Sequence, residues 1–238
     1  MNEQGKSQSP FIVLEGLDGS GKSSQLELLK EYLTNNGISF KDVHFPMLNQ
    51  GIYGSLVAQF LRGDFGDLTE VHPKLVALLY AEDRKEHVHM IHEWLAEGYV
   101  VIADRFVNSN IAFQCAKYTD EEEKDHLRDW IEHFEFVHNG LPRPHISIFL
   151  DVPMDSIENS LVHLRKEDDR DYLEGSKDIH ESDMSFQEKV RREYLYLVDK
   201  RNDFAIISCH DDKGRFLPKK PIHEKIVEII QPLLTAPA

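Results

Sequence analysis

The residues from Gly16 to Ser23 have the types and the spacing that a protein needs to bind a polyphosphate. Their order, Gly-x-x-x-x-Gly-Lys-Ser, is the phosphate-loop pattern, in which successive backbone N–H groups surround an anion. Lys22 would reach the β- and γ-phosphates, and the Ser23 hydroxyl could bind Mg²⁺. A glycine-rich turn without a ligand is the alternative, but it would leave a buried lysine without a partner. The pattern predicts a nucleoside triphosphate site formed by Gly16, Leu17, Asp18, Gly19, Ser20, Gly21, Lys22, Ser23 and Ser24.

The segments on either side of this loop are those that a phosphate loop requires. An apolar run at 11–14 is typical of a buried parallel strand, and Leu26, Leu29 and Leu33 then recur at helical spacing. A strand, a glycine loop and a helix in this order direct the positive end of the helix dipole at the phosphates.

Further apolar runs alternate with helical patterns along the rest of the chain. Strands are predicted at 39–45, 99–103, 146–150 and 204–208. Helices are predicted at 54–61, 73–97, 108–116, 121–137, 153–164, 185–199 and 222–233. The helix at 73–97 is expected to bury one face, formed by Leu75, Leu78, Leu79, His87, Ile91 and Leu95. This alternation predicts an α/β fold, with a five-stranded parallel sheet and helices on both faces, in a single domain whose core spans about 10–235.

Ligands of such sheets bind at the carboxyl ends of the strands, and several polar residues follow predicted strands directly. This edge would collect the phosphate loop, Phe45-Pro46, Asp104-Arg105 and Asp151. The Asp104 carboxylate would bind Mg²⁺ or its water, and Arg105 would lie across the transferring phosphoryl group. An ordinary ion pair at a strand end is the alternative for these two residues.

The segment at about 165–183 is charged and follows neither the helical nor the strand period. It includes three cations, Arg165, Lys166 and Arg170, among several carboxylates. A solvated surface loop would have this composition. Because the segment lies beside the predicted ligand edge, we favour a lid that closes over the nucleotide and excludes water.

Composition limits the class of partner. The chain has 238 residues and a formal charge of −15, so its surface repels the phosphates of a polynucleotide and favours small nucleotides as ligands. Two cysteines, Cys115 and Cys209, form no metal pattern, which fits a reducing cytosol. No apolar run approaches membrane-spanning length, so we expect a soluble cytoplasmic protein without a membrane partner.

Several stretches, in this order and at near-family spacing, resemble the thymidylate kinase family. They are Gly16-Leu-Asp-Gly-Ser-Gly-Lys-Ser23, Phe45-Pro46, Arg62-Gly-Asp-Phe-Gly-Asp-Leu68, Tyr80-Ala-Glu-Asp-Arg84 and Asp104-Arg-Phe-Val-Asn-Ser-Asn-Ile-Ala-Phe-Gln114. Leu141-Pro-Arg-Pro144 and Asp178-Ile-His-Glu181 extend the likeness, which covers about 10–197. The stretch that begins at Asp104 is the most specific, since phosphate loops occur in many unrelated enzymes.

The resemblance implies a P-loop nucleoside monophosphate kinase-like fold with a lid. It implies transfer of the γ-phosphoryl group of ATP to dTMP, giving dTDP for dTTP biosynthesis, with Mg²⁺ and in a homodimer. Gly19 stands where some members have an arginine, and Arg165 and Arg170 of the lid would supply that cation. The implied catalytic residues are Lys22, Arg105, Arg165 and Arg170, and the implied metal ligands are Ser23 and Asp104.

The resemblance also implies an acceptor site. Asp18 would meet the 3′-hydroxyl of the deoxyribose, and Phe113 would pack where a ribose 2′-hydroxyl would clash. Tyr80 would stack on thymine, and Arg84 would bind a thymine carbonyl. The implied substrate-binding residues are Asp18, Phe45, Pro46, Tyr80, Arg84, Arg105, Phe113 and, at the base edge, Ser109, Asn110 and Gln114.

The chain departs from the family pattern at Met47, Phe106, Ile179 and His145, which puts one acceptor-phosphate contact and the kinetics in question. Three alternatives therefore stay open. One is another nucleoside monophosphate or deoxynucleoside kinase of the same fold. The second is a nucleotide-hydrolysing switch, although the guanine-reading pattern Asn-Lys-x-Asp is absent from the sequence. The third is a weakly active paralogue that binds nucleotides.

Overall fold

The computed structural model describes residues 9–68, 70–164, 173, 178–180 and 183–235, except for the side chains of 162–164. Its sheet has five parallel strands in the order β2-β3-β1-β4-β5. The strands are β1 (Phe11–Glu15), β2 (Phe40–His44), β3 (Val100–Asp104), β4 (Ile146–Asp151) and β5 (Phe204–Ser208). The predicted five-stranded parallel sheet is confirmed.

Helices connect these strands. They are α1 (Lys22–Asn35), α2 (Gly51–Arg62), α3 (Pro73–Glu86), α4 (Val88–Ala96), α5 (Val107–Cys115), α6 (Glu121–Glu132), α7 (Met154–Leu164), α8 (Met184–Lys200) and α9 (Lys219–Leu234). A π-helix at His133–His138 directly continues α6. No helix in the described ranges is long and apolar enough to span a lipid bilayer.

The central strands are buried, which explains their continuous apolar sequence. The side chains of 11–14 in β1 and of 101–103 in β3 have no exposed surface. On one side α1 packs against α9 and the sheet, and elsewhere α8 packs against α5, β4 and β5. Leu14 of β1 pairs with Asp104 of β3, so the phosphate loop and the Asp104-Arg105 turn leave the sheet side by side.

The helix predicted at 73–97 is two helices, and the prediction of its buried face was right at Ile91 and Leu95 but wrong at Leu75. The backbone leaves helical geometry at His87, which separates α3 from α4. Leu75 is 58% exposed, whereas the buried residues of α3 are Val76, Ala77, Ala81, Asp83 and Arg84. Small residues let α3 approach α2 and α5 closely. Its two buried charged residues find partners that leucine spacing cannot reveal, because Asp83 accepts from Met47 N and Arg84 donates to Glu135 of the π-helix.

The helix predicted at 121–137 also differs from the structure, because α6 ends at Glu132 and the chain continues as the π-helix. A π-helix has wider turns than an α-helix and is frequently found at functional sites. Most of the predicted lid, including Arg165 and Arg170, lies outside the described residues.

Candidate active site

A cavity of about 600 Å³ lies at the carboxyl edge of the sheet, between the phosphate loop, α3 and α5. The predicted site residues in its wall are Asp18, Gly19, Ser20, Gly21, Lys22, Ser23, Ser24, Phe45, Pro46, Tyr80, Arg84, Asp104, Arg105, Ser109, Asn110, Phe113 and Gln114. Gly16 and Leu17 belong to the loop but not to the wall. The structure thus brings together residues from both ends of the predicted site.

The wall also contains residues that were not predicted from the sequence, namely His44, Leu48, Leu61, Ser160, Asp178 and His180. Asp178 and His180 belong to a stretch that carries the family resemblance, so the motif could have indicated them. The others have side chains of common surface or core types, and the tertiary fold alone places them at the cavity.

The phosphate loop has the backbone that an anion site requires. Gly19 and Gly21 have φ values of 77° and 83°, in the left-handed region that glycine adopts without steric cost. Helix α1 begins at Lys22, so its first N–H groups lie at the loop. The Lys22 ammonium donates to the carbonyl oxygens of Gly16 and Leu17 at 3.1 and 2.8 Å, and burial lowers its pKa to about 8. A bound phosphate would give this ammonium a negative partner.

Arg105 links the end of β3 to the phosphate loop. Its φ of 64° is uncommon for a residue with a side chain and directs the turn after the strand. Its Nη2 donates to Asp18 Oδ1 at 2.6 Å, its Nη1 donates to Ser109 Oγ at 3.3 Å, and its guanidinium lies 5.1 Å from the centre of the Phe113 ring. Burial alone would raise the pKa of Asp18, but the charges of Arg105 and Lys22 hold it below its ordinary value.

Glu15, at the end of β1, supports this turn from below. Its carboxylate is fully buried and accepts hydrogen bonds from Phe106 N at 3.1 Å, Ser109 Oγ at 2.5 Å and the Tyr194 hydroxyl at 3.1 Å. Burial raises the pKa of Glu15, although these donors oppose the shift. Ser109, expected at the base edge, therefore lines the cavity with its hydroxyl bound to Glu15. A charged residue that ends a buried strand was the sequence feature that could have identified Glu15.

At the other end of the cavity, Glu135 of the π-helix joins two predicted base-binding residues. Arg84 donates from Nε and Nη2 to its two carboxylate oxygens, each at 2.5 Å. Asn110 donates from Nδ2 to Glu135 Oε1 at 2.8 Å and to Ala77 O at 3.0 Å. Both side-chain polar atoms of Gln114 are buried, with no hydrogen-bond partner among the described residues. Gln114 therefore provides an unused donor and an unused acceptor at the cavity wall.

Residues 178–180 close part of the cavity. Asp178 and His180 are buried there, and His180 N donates to Asp178 Oδ1 at 2.8 Å. The His180 ring lies 5.1 Å from the Phe113 ring and 5.5 Å from the Phe60 ring. Tyr80 is also in the wall, and burial, with the charge of Asp178, raises its pKa. This side of the cavity is therefore largely aromatic.

Asp104 and Ser23 lie in the wall next to the phosphate loop. Asp104 Oδ2 is 3.2 Å from His44 Nδ1, whereas its Oδ1 is buried and contacts no hydrogen-bond donor in the described part of the chain. Burial alone would raise the pKa of Asp104, but the hydrogen bond from His44 and the charge of Lys22 lower it. An ionised carboxylate oxygen without a partner is a suitable ligand for a divalent cation.

Known proteins are similar to this chain in sequence and in fold. A probable thymidylate kinase from Pyrococcus horikoshii is 31% identical over 223 residues, which are 93% of this chain and 95% of that protein. The thymidylate kinase of Mycobacterium tuberculosis is 32% identical over 209 residues, which are 86% of this chain and 94% of that protein. The structure of thymidylate kinase from Candida albicans has the same fold, with a TM-score of 0.71 and 24% identity over 96% of this chain and 93% of that one. The thymidylate kinase family model matches residues 14–215, so this chain belongs to the thymidylate kinase family.

Proposed function

We propose that this protein transfers the γ-phosphoryl group of ATP to dTMP, giving ADP and dTDP. The observation that carries the proposal is that one cavity contains a phosphate loop with Lys22 and also the residues Tyr80, Arg84 and Asn110, which suit a pyrimidine base. Membership of the thymidylate kinase family supports the same reaction.

In this reaction an oxygen of the dTMP phosphate forms a bond to the γ-phosphorus, and the bond from that phosphorus to the bridging oxygen of ADP breaks. The attacking oxygen is already ionised near neutral pH, since the second pKa of a phosphate monoester is about 6. The protein therefore needs no strong base, and its contribution is positioning and charge stabilisation. Lys22 and the loop N–H groups would hold the ATP phosphates, and Arg105 would hold the acceptor phosphate.

Arg105 suits this task because two hydrogen-bond partners fix its guanidinium, and of these two Asp18 is negatively charged and Ser109 is neutral. Asp18 takes one nitrogen and Ser109 another, and the ring of Phe113 lies beside the guanidinium plane. Arginine has five N–H donors, so others stay available for a phosphate. We propose that, when dTMP binds, Arg105 donates hydrogen bonds both to the dTMP phosphate and to Asp18. Asp18 would in addition accept a hydrogen bond from the 3′-hydroxyl of dTMP.

The residues next to the phosphate loop fit a Mg²⁺ ion. Asp104 Oδ1 is ionised and unpartnered among the residues described, and the exposed Ser23 hydroxyl lies at the start of α1. We propose that these two residues hold the ion directly or through water. When bound, Mg²⁺ would neutralise charge on the β- and γ-phosphate oxygens.

The remaining expectations are proposals that rest on the resemblance. Phe113 would pack against C2′, and Phe45 and Pro46 would contact the acceptor nucleotide from the end of β2. Arg165 and Arg170 would supply lid cations near the γ-phosphate, because Gly19 has no side chain to do so. We further propose a single kinase domain that acts in the cytoplasm as a homodimer, without polynucleotide partners.

The test is ADP formation with ATP, Mg²⁺ and one acceptor at a time: dTMP, dUMP, UMP, CMP or thymidine. We expect kcat/KM to be highest for dTMP. Preference for UMP or CMP would instead indicate another nucleoside monophosphate kinase of this fold. ATP hydrolysis without preference for any acceptor would indicate a nucleotide-hydrolysing switch.

A further inference from the structure

We propose that Glu135 is a positioning residue for base recognition, which fixes the atoms that Arg84 and Asn110 offer to the cavity. The inference rests on the proposed function, because it explains how the acceptor site would select a pyrimidine with a carbonyl at C4. Glu135 does not line the cavity, so it would act through these two neighbours.

The orientation of the Asn110 amide follows from its partners. Its Nδ2 donates to Glu135 Oε1 at 2.8 Å and to Ala77 O at 3.0 Å. Both partners are acceptors, and together they use both hydrogens of the amide nitrogen. A flipped amide would place an oxygen against a carboxylate and a carbonyl. Asn110 must therefore direct Oδ1 elsewhere, and this oxygen is buried without a donor in the described part of the chain.

The same carboxylate restricts Arg84. Its Nε and Nη2 are both bound to Glu135, which leaves Nη1 as the guanidinium nitrogen that this carboxylate does not engage. Arg84 is 1% exposed and Glu135 is fully buried, so solvent does not compete with the pair. Two parallel hydrogen bonds also fix the plane of the guanidinium.

The π-helix holds Glu135 at this place. Its end is bound to α3 through Asn139, whose Nδ2 donates to Ala81 O at 3.3 Å and whose carbonyl accepts from Lys85 Nζ at 2.7 Å. Leu141 N donates to Glu135 O at 3.1 Å. Backbone and side-chain bonds thus fasten the carboxylate to the helix that carries Arg84.

The resulting pattern is one acceptor, Asn110 Oδ1, and one donor from Arg84, both in residues of the cavity wall. Thymine and uracil have a donor at N3 and an acceptor at O4, which complement this pair. Cytosine has an acceptor at N3 and an amino donor at C4, so both contacts would be repulsive. Glu135 would therefore select against cytosine without touching the base.

The experiment compares wild type with Glu135→Gln, using kcat/KM for dTMP and for dCMP at saturating ATP. A glutamine cannot accept from both Arg84 and Asn110 in the same way, so Asn110 is no longer held in one orientation. We expect the preference for dTMP over dCMP to fall about 10- to 100-fold, through KM for dTMP, while KM for ATP stays unchanged. Glu132→Gln is the matched control, because Glu132 also pairs with an arginine, Arg201, but lies outside the cavity wall.

Equal losses for dTMP and dCMP in Glu135→Gln would overturn the proposal, since they would show a purely structural role. Glu135→Asp keeps the charge but withdraws both carboxylate oxygens by one methylene from Arg84 and Asn110, so we expect it to fold and to lose part of the preference, less than Glu135→Gln loses. If Glu135→Gln does not fold, an unchanged preference in Glu135→Asp would overturn the proposal.

A second measurement needs no variant. Methylation of dTMP at N3 removes the hydrogen that Asn110 Oδ1 would accept, so we expect wild-type kcat/KM to fall by about 100-fold or more. Similar turnover of both nucleotides would refute the orientation of Asn110. Failure of wild type to phosphorylate dTMP at all would refute the proposed function instead.

Discussion

The two ends of the cavity differ in how their charged groups are paired. At the end that contains Tyr80, Arg84 and Asn110, proposed to hold the base and called the base end, Arg84 is bound to Glu135 by two hydrogen bonds and both side chains are buried. At the end that contains the phosphate loop, proposed to hold the ATP phosphates and called the phosphate end, the Lys22 ammonium is bound only to backbone carbonyls in the described structure, and burial lowers its pKa to about 8. Arg84, which we propose contacts the base, is thus held rigidly, whereas Lys22, which we propose binds the ATP phosphates, has no anionic hydrogen-bond partner among the described residues.

This difference predicts that the base end contributes more to folding than to chemistry. Glu135→Ala leaves the buried Arg84 charge without its partner, so we expect the free energy of unfolding to fall by about 3–5 kcal/mol. Glu132→Ala removes a partly exposed carboxylate and should cost about 1 kcal/mol or less. Urea denaturation of both variants measures the two values. A small loss in Glu135→Ala would mean that the ion pair is not a fixed part of the fold.

The phosphate end should show the opposite behaviour. Lys22→Ala removes the cation that we propose binds the ATP phosphates, so we expect kcat to fall by about 10²- to 10³-fold. Stability should be kept or improved, because the buried ammonium has no anionic hydrogen-bond partner among the residues described. Lys30→Ala, on the same helix but paired with Asp42 and Glu27, is the matched control and should retain kcat. Normal turnover in Lys22→Ala would remove the phosphate loop from the reaction.

The same contrast explains which parts of the molecule could be predicted from sequence. The phosphate loop is local, since Gly16 to Ser23 contain all of its predicted phosphate-binding groups. Apolar runs indicated four strands of the described sheet, and the alternation at 39–45 indicated β2. The base end depends on contacts between distant segments: Glu135 lies 51 residues from Arg84. Leu127, Ile131 and Glu135 are buried and follow one another at a spacing of four residues. An acidic residue on the apolar face of a predicted helix was therefore the sequence feature that could have identified Glu135.

The face of α3 shows the limit of hydrophobic spacing more directly. Leucine positions predicted the buried face, yet Leu75 is exposed and Ala77, Asp83 and Arg84 are buried. Charged residues are buried when another segment of the chain supplies their partners. The sequence around the charged residue does not indicate which distant residue that partner is. This error of the sequence prediction therefore fell on the helix that carries Arg84, the arginine that we propose contacts the base.

The sugar lies between the two ends in the proposed complex, and its wall is apolar. The centre of the Phe113 ring lies 5.1 Å from that of His180 and 6.1 Å from that of Phe186. The ring therefore has little freedom to move away from a bound sugar. A ribose 2′-hydroxyl against this ring would lose water without gaining a partner, which costs about 1–3 kcal/mol. We expect kcat/KM for dTMP to exceed that of its ribose analogue by about 10- to 100-fold.

Phe113→Ala should reduce this discrimination, whereas Phe216→Ala, at a ring that is 45% exposed, should leave it unchanged. Both ratios come from steady-state assays with the two nucleotides. Unchanged discrimination in Phe113→Ala would place the sugar elsewhere in the cavity.

The smallest expected effect is a change of ATP affinity with pH, which tests whether the pKa of Lys22 is lowered because the ammonium has no anionic hydrogen-bond partner among the described residues. Bound phosphate favours the charged ammonium, so ATP binding must add a proton wherever free Lys22 is neutral. With a pKa of about 8 instead of the ordinary 10.5, the dissociation constant should be flat below pH 8 and rise above it. The rise should reach about tenfold near pH 9, measured by calorimetry without an acceptor nucleotide.

Two other effects can be separated from this one. Between about pH 8 and pH 10.5 the unfolded chain binds a proton at Lys22 that the folded protein lacks. The titration of Lys22 therefore makes the folded state more stable as pH rises. Unfolding caused by this titration cannot explain a loss of ATP affinity in the same pH range. Lys117, whose pKa burial lowers to about 7, completes its titration below the window. Lys22→Met should bind ATP weakly and without this pH dependence. A wild-type dissociation constant that stays flat to about pH 9.5 would show that Lys22 keeps an ordinary pKa, and the contrast between the two ends would then fail.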